Sequence, residues 1–273
     1  MKKNAIITFL KGLFIGGTMT VPGISGGSMA MILGIYDRMI SSVSGVLRLE
    51  KKSFIFLAEC VIGAVLGMVL FSNSILSLIE RFPLPMSYFF IGAVVGGAPM
   101  IYRSAKVTRF TPGAVIYPII GIILVLLIAL LPEGIFAPGE SFGVSEFFLQ
   151  LLGGVIVAIA LVLPGISVSQ MLLMLGLYEP VMKSIGSLNI LPIIPLGIGV
   201  LLGTVMTAKL MDKAMHRFPQ ATYLIILGFV LGSVRELFPG LPMGLNIPIC
   251  IVTAAAGFFV VYVISSKTSE STD

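Results

Sequence analysis

Charged residues are scarce in this chain. Only 11% of its 273 residues are charged, whereas 57% are apolar, and the mean hydropathy is +1.11. Soluble domains of this length do not have such a composition. Apolar runs such as residues 112–131 and 247–264 approach the roughly 20 residues that a membrane-spanning helix needs. The sequence therefore excludes a soluble domain and indicates a membrane protein.

Histidine and cysteine are almost missing as well. His216 is the one histidine, and the two cysteines, Cys60 and Cys250, lie inside apolar runs, where a thiol behaves as a small hydrophobic group. We therefore predict no disulfide, no metal and no cofactor. The alternating pattern of a membrane β-barrel is also absent. These absences predict an all-α polytopic membrane protein, in which the basic residues reflect membrane topology rather than binding to nucleic acid.

An internal duplication organises the chain. The run Pro-Gly-Ile-Ser at Pro22 recurs at Pro164, 142 positions later, and the match continues from Tyr36 to Tyr178. A second block follows at an offset of 136, where Arg81-Phe82-Pro83 matches Arg217-Phe218-Pro219. Proline and glycine interrupt a helix, so each half is predicted to carry the same break in otherwise apolar sequence.

Each half predicts a re-entrant helical hairpin followed by three transmembrane helices. We expect the first repeat at residues 1–131, with its hairpin at about 5–36 and spans at about 53–79, 87–102 and 113–131. Residues 37–52 are expected to form a polar connector, and residues 132–146 an extracellular loop. The second repeat is expected at residues 147–264, with its hairpin at about 147–178 and spans at about 190–210, 220–234 and 247–264. Residues 265–273 are expected to form a cytoplasmic tail.

The charge distribution favours an inverted repeat. If each hairpin returns to the side from which it entered, each half crosses the membrane three times, and the second half is upside down relative to the first. With both termini in the cytoplasm, all 17 lysine and arginine residues except Arg81, Lys183 and Arg235 then lie on the cytoplasmic side. Because positive residues concentrate on that side of a membrane, we predict this topology.

The two breaks are the candidate binding site. Transporters that work by alternating access are built from inverted repeats with broken helices, and their substrates bind near the midplane between the repeats. Backbone N–H groups and hydroxyls at such breaks favour an anion, although small residues also serve tight helix packing. The predicted anion ligands are Gly23, Ser25, Gly26, Gly27 and Ser28 in the first break and Gly165, Ser167, Ser169 and Gln170 in the second, with Pro22 and Pro164 as hinges.

Three charged residues outside the breaks are further candidates. Arg81 and Arg217 occupy matching positions, and a guanidinium can hold a phosphate bidentately, so that one arginine would serve each leaflet. The alternative is that both anchor helix ends at the membrane interface. Glu59 lies inside an apolar run, where an acid either couples transport to an ion or pairs with a basic residue at the cytoplasmic boundary.

A serine hydrolase is a weaker interpretation. Residues 23–27 fit the Gly-x-Ser-x-Gly pattern of hydrolases, but the second break has Val168 and Ser169 where the first has Gly26 and Gly27. The base that a serine nucleophile needs would have to be His216, at the cytoplasmic end of a later span. A transporter or channel for a small soluble anion is therefore the first alternative, and an intramembrane hydrolase is less favoured.

The first break also carries a family signature. The run from Val21 to Ala30, Val-Pro-Gly-Ile-Ser-Gly-Gly-Ser-Met-Ala, and the following Leu33-Gly34-Ile35-Tyr36-Asp37 resemble the PopT family of bacterial polyprenyl-phosphate translocases, and the resemblance extends over nearly the whole chain. It implies a flippase, not an enzyme, that returns undecaprenyl phosphate from the outer to the inner leaflet, so that this lipid carrier of cell-wall precursors is recycled. It further implies a bacterial plasma-membrane protein whose partners are polyprenyl phosphate and membrane lipids, with phosphate as the anion bound at the breaks.

Overall fold

The structure, a computed structural model, describes residues 2–21, 23–107, 111–134, 144–187, 189, 191–244 and 246–270. All regular structure in these residues is helical, which confirms the predicted all-α class. The first half contains α1 (Lys2–Thr18), α2 (Gly26–Ile32), α3 (Tyr36–Leu47), α4 (Lys51–Arg81), α5 (Pro83–Ser104) and α6 (Gly113–Ile128). The second half contains α7 (Val144–Val162), α8 (Val168–Met174), α9 (Tyr178–Gly186), a 3₁₀ turn (Leu191–Ile193), α10 (Ile194–Arg217), α11 (Pro219–Gly232), α12 (Val234–Leu237) and α13 (Asn246–Glu270).

Six segments of the described chain are long and apolar enough to cross a membrane. They are α4, α5, most of α7, α10 with the preceding turn, α11 together with α12, and most of α13. The protein is therefore a multi-pass membrane protein. Helix α7, predicted as a hairpin limb, has the length of a span, whereas α6, predicted as a span, has 16 residues or about 24 Å. Helix length alone does not distinguish membrane-spanning helices from the limbs of re-entrant hairpins, so the re-entrant hairpins stay a prediction.

Two parts of the chain differ from the sequence-based expectation. Where a polar connector was expected at residues 37–52, the structure has the helix α3, whose Tyr36, Ile40 and Gly45 are buried against α4 and α10. Polar and apolar residues alternate there at helical spacing, which produces an amphipathic helix. Helix α13 also runs on to Glu270, into the expected tail. Most of the expected extracellular loop lies outside the described residues.

The duplication extends to the backbone. The matched glycines Gly23 and Gly165 have φ angles of +82° and +85°, and Gly34 and Gly176 have +65° and +71°. The helices α2 and α8 that follow the breaks have seven residues each. Phe82 and Phe218, which separate α4 from α5 and α10 from α11, have φ and ψ of −135° and 61°, and of −133° and 58°. The two halves therefore repeat the same chain reversals at the same positions.

Helix pairing follows the duplication too. The most extensive packing joins α1 to α4 and, correspondingly, α7 to α10; it also joins α5 to α13 and, correspondingly, α11 to α6. Glycines allow these close approaches: a Cβ at Gly67 would overlap the Leu13 carbonyl, and one at Gly92 would overlap the Ala254 carbonyl. Because α5 and α11 each pair with a helix of the opposite half, the two halves interlock around a shared centre.

Candidate functional site

The two helix breaks face a common cavity of about 650 Å³. Six of the predicted ligands line it, three from each break: Gly23, Ser25, Gly26, Ser167, Ser169 and Gln170. The residues that join them on the polar side include Thr20, Tyr178 and Glu236, and the apolar side includes Leu76, Leu161 and Leu173. Two segments separated by about 140 positions of sequence therefore line one cavity.

The other predicted ligands lie beside the cavity. Gly27 lies at the contact between the two breaks: a Cβ placed on it would lie 3.2 Å from the Cα of Pro164. Ser28 is buried, and its Oγ has no hydrogen-bond partner among the described residues. Gly165 packs against the backbone of α11, where its Cβ would lie 2.5 Å from the carbonyl carbon of Phe229. Pro164 is fully buried, whereas Pro22 lies outside the described residues.

The local sequence explains the shape of each break. A proline ends the preceding helix because it cannot continue the hydrogen-bond ladder, and the glycine that follows it adopts positive φ. Ser25 and Ser167 then have extended backbone at the helix N-caps, with φ and ψ of −85° and 133°, and of −83° and 126°. Ser167 Oγ accepts a hydrogen bond from the Gln170 N–H at 3.4 Å, whereas Ser25 makes no such capping bond. The Ser25 hydroxyl is therefore not occupied by its own helix.

Glu236 is the cavity residue that sequence reasoning missed. It lies on α12, and its Cβ would be 3.3 Å from a Cβ on Gly23, so its side chain adjoins the first break. With the Gln170 amide oriented so that its nitrogen faces Glu236, that nitrogen donates to both carboxylate oxygens, at 3.0 Å for Oε2. Glu236 is the single charged residue among the described residues that line the cavity. The signal in the sequence was an acid two residues beyond the predicted end of an apolar span.

Arg81 and Arg217 do not line this cavity. They end α4 and α10, and each guanidinium lies over the ring of the next residue, Arg81 over Phe82 at 5.5 Å and Arg217 over Phe218 at 5.6 Å. Arg217 lines a separate depression of about 830 Å³ between α3 and α10, together with Arg48, Lys209 and Lys213. The two arginines are thus placed alike, as the duplication predicted, but at helix ends rather than at the breaks.

Glu59 also lies outside this cavity. It is half-buried on α4, one residue before the buried Cys60, in the half of the helix that begins at Lys51. The cavity touches α4 at Leu76 instead, near the end of the helix at Arg81. Glu59 therefore lies in a different region of the protein from Glu236, which lines the cavity.

Another depression, of about 450 Å³, is lined by none of the described residues of either break. Its lining includes Asp37, Arg38, Lys106, His216 and Tyr223. His216 Nδ1 lies 2.8 Å from the backbone oxygen of Asp212 and 3.5 Å from Asp212 Oδ1. Because His216 lines this depression and Ser25 lines the cavity, the structure does not bring the candidate base to the candidate nucleophile, which argues against the hydrolase interpretation.

Comparison with known proteins gives a consistent result. A model of the undecaprenyl phosphate translocase-like family matches residues 15–244. The chain is 34% identical to a polyprenyl-phosphate transporter of Staphylococcus aureus over 282 residues, which cover 99% of this chain and all of that protein. It is 25% identical to a polyprenyl-phosphate transporter of Vibrio cholerae over 250 residues, 86% of this chain and 78% of the relative. No solved structure matches the chain.

Proposed function

Because the chain belongs to the undecaprenyl phosphate translocase-like family, we propose that it is a flippase for polyprenyl phosphate, with undecaprenyl phosphate as its substrate. It is a membrane transporter, not an enzyme. The observation that carries the proposal is the cavity that both helix breaks line, because it offers hydroxyl, amide and backbone groups to one ligand at the meeting point of the two halves. In the cell, the protein would return the carrier lipid to the inner leaflet for reuse.

The rim of the cavity suits a lipid better than a soluble anion. Leu76, Leu161 and Leu173 line it, and their side chains are 41%, 40% and 39% exposed. An apolar rim on a membrane protein faces the acyl chains, so a polyprenyl tail can remain in the bilayer while its phosphate enters the polar part of the cavity. A soluble-anion transporter or channel, the alternative function, would not need this apolar opening.

The charge topology supports the proposed direction, from the outer to the inner leaflet. The cavity touches α4 near Arg81, the end opposite to Lys51, and the positive-inside distribution puts Lys51 in the cytoplasm and the cavity toward the outer leaflet. On the Lys51 side, the depression between α3 and α10 carries Arg48, Lys209, Lys213 and Arg217 against the single described acid Asp212, and this excess of positive charge would attract an arriving phosphate. The inverted repeat then supplies the mechanism, in which the breaks expose one phosphate site to each leaflet in turn.

The test uses purified protein in vesicles that contain polyprenyl phosphate. A membrane-impermeant phosphatase, added outside, removes phosphate from the outer leaflet only, so a flippase makes the inner-leaflet pool accessible as well. We expect complete dephosphorylation with the protein and a plateau in protein-free vesicles. A plateau in both would contradict lipid transport, and if the same vesicles instead release trapped inorganic phosphate, the alternative function is correct.

A further inference from the structure

The bond between Gln170 and Glu236 places an acid where the phosphate is expected to bind. Gln170 lies on α8, directly after the second break, and Glu236 adjoins Gly23 of the first break. The carboxylate is therefore held between the two halves. A phosphate that enters this cavity meets a second anion, and repulsion between two like charges is stronger beside the protein interior than in bulk water.

Among the described residues that line the cavity, no cation is present to offset that repulsion. The Glu236 side chain faces Gln170 of α8 and Gly23 of the first break. The other titratable residue in the cavity lining is Tyr178 of α9. Helix α12 also packs on α5, whose Tyr88 donates a hydrogen bond to the Gly240 carbonyl. Arg235, its neighbour on α12, is exposed and is not among the described residues that line the cavity.

We propose that Glu236 is the proton-binding group of the transport site, an inference that rests on the proposed function. When the lipid phosphate enters, the carboxylate takes a proton from a hydronium ion of the solvent in the cavity: one O–H bond of the hydronium ion breaks, leaving water, and an O–H bond forms on one carboxylate oxygen. The neutral acid can then donate to the phosphate, and the Gln170 amide exchanges its carboxylate acceptor for a phosphate oxygen. When the phosphate leaves, the proton returns to water. One proton therefore accompanies each phosphate.

The test measures how the affinity for farnesyl phosphate, a short polyprenyl phosphate, depends on pH with the detergent-purified protein and its Glu236→Gln variant. Comparing the two proteins cancels the titration of the ligand itself. Above the pH at which Glu236 ionises, we expect wild-type affinity to fall about tenfold per pH unit relative to the variant, the slope for one linked proton. Glu236→Asp, which still titrates, should keep the wild-type slope, and so should Glu80→Gln, which changes an exposed acid at the end of α4.

If the affinity for farnesyl phosphate has the same pH dependence in wild type and Glu236→Gln, the inference is overturned, regardless of which protein binds more tightly. If Glu236→Gln does not elute as a single species, Glu236→Leu, which does not titrate either, replaces it in the same comparison with wild type. If wild type does not bind farnesyl phosphate at any pH, the proposed function fails rather than this inference alone.

A different observation carries a second inference, about how the cavity closes. Tyr36, at the start of α3, donates a hydrogen bond from its hydroxyl to the carbonyl of Val162, the last residue of α7, at 2.8 Å. The duplication maps Tyr36 to Tyr178 and Val162 to Thr20. Among the described residues, the corresponding bond from Tyr178 to Thr20 is not formed, and both residues line the open cavity instead. Tyr36 is 3% exposed, whereas Tyr178 is only half-buried.

We infer that these two tyrosines close the opposite ends of the site in turn. In the structure, Tyr36 bonds Val162 and the Tyr178 side is open; in the other state, Tyr178 would bond the Thr20 carbonyl and Tyr36 would release Val162. Exchanging the conformations of two pseudosymmetric halves is the expected route to the second state of an inverted repeat. This inference rests on the alternating-access part of the proposed function.

Thiol labelling tests the exchange without any lipid substrate. Ser169→Cys places a thiol in the cavity lining, and the native Cys60 and Cys250 are both buried. In this background we expect Tyr36→Phe to lower the rate of labelling by an impermeant reagent and Tyr178→Phe to raise it, each roughly fivefold, as for one ordinary hydrogen bond. Tyr102→Phe, which changes an exposed tyrosine on α5, is the control and should leave the rate unchanged.

Changes in the same direction, or no change, would overturn the paired closure. Labelling of right-side-out and inside-out vesicles shows which side the thiol faces in each variant, so a reversed membrane orientation does not imitate either result. Because no lipid phosphate is present, a negative result here leaves the transport of polyprenyl phosphate untouched.

Discussion

Gly27 and Pro164 are in contact across the two halves of the chain: a Cβ added to Gly27 would lie 3.2 Å from the Cα of Pro164 and 3.3 Å from its nitrogen. The two helix breaks therefore meet with no room for a side chain between them. Because Pro164 is fully buried and its backbone cannot give way alone, a larger residue at position 27 has to separate the breaks. The geometry of the cavity thus depends on this one glycine.

Gly27→Ala should lower transport without a comparable loss of folded protein. The required shift is a few tenths of an ångström, which costs little stability but displaces the phosphate ligands of one break relative to the other. We expect transport per folded molecule to fall several-fold in the vesicle assay. Gly197→Ala, where a Cβ on α10 meets nothing within 4 Å, is the matched control. Loss of folded protein with normal activity per molecule would show that Gly27 serves packing only.

Gly165→Ala should be more destabilising than Gly23→Ala, although the two positions correspond. Both glycines have positive φ, a conformation that costs other residues roughly 1–2 kcal/mol. At Gly165 the added Cβ also meets the backbone of Phe229, whereas at Gly23 it meets the side chains of Leu237 and Glu236, which can move. The unfolding temperature in detergent, measured by size-exclusion chromatography after heating, should be lowest for Gly165→Ala, higher for Gly23→Ala and highest for wild type. The reverse order would contradict this account of the packing.

Arg81→Ala and Arg217→Ala should impair different steps of transport, one at the outer leaflet and the other at the inner leaflet. If each arginine serves one leaflet, Arg81→Ala weakens capture of lipid phosphate from the outer leaflet, and Arg217→Ala spares capture but slows release at the inner leaflet. Vesicles with oriented protein, assayed for inward and outward movement, measure the difference. Equal losses in both directions, or none, would mean that both arginines only anchor helix ends, as their stacking on Phe82 and Phe218 permits.

Glu59→Gln should leave the pH dependence of transport unchanged. Glu59 is half-buried on α4 but lies outside the cavity, so its proton does not have to follow the phosphate. The same variant series should show a changed pH dependence for Glu236→Gln, which provides the positive control within one experiment. A shifted pH profile in Glu59→Gln, with Glu236→Gln unaffected, would transfer the coupling role to Glu59.

The sequence predicted those parts of the fold that depend on short-range signals. A Pro-Gly dipeptide inside a long apolar run interrupts a helix, so both breaks could be placed, and the repeated Arg-Phe-Pro run marked both junctions between long helices. The apolar composition was sufficient to predict a membrane protein, because charged side chains are costly to place in the hydrocarbon core of a bilayer. The meeting of the breaks followed from the duplication, since equivalent elements of an inverted repeat approach each other near its centre.

The sequence could not predict features that depend on distant neighbours. Gly23, Gln170 and Glu236 are far apart in the chain, and only the packing of α12 beside both breaks brings the acid to the amide. The duplication even misleads here, because the position that corresponds to Glu236 is Met100, inside the continuous helix α5. Helix α3 was missed although its amphipathic spacing was present in the sequence, because its charged residues suggested a connector; only its partners α4 and α10 depend on the tertiary packing.

Protection of a cavity thiol by substrate tests the central claim most directly. In the Ser169→Cys variant, the thiol lies in the lining that both breaks share, and in a Glu80→Cys variant it lies on the exposed end of α4, outside the cavity. We predict that polyprenyl phosphate slows labelling of Ser169→Cys, that the matching polyprenol without phosphate does not, and that neither lipid protects Glu80→Cys. Equal protection of Ser169→Cys by the two lipids, or no protection by either, would contradict a phosphate site between the two helix breaks.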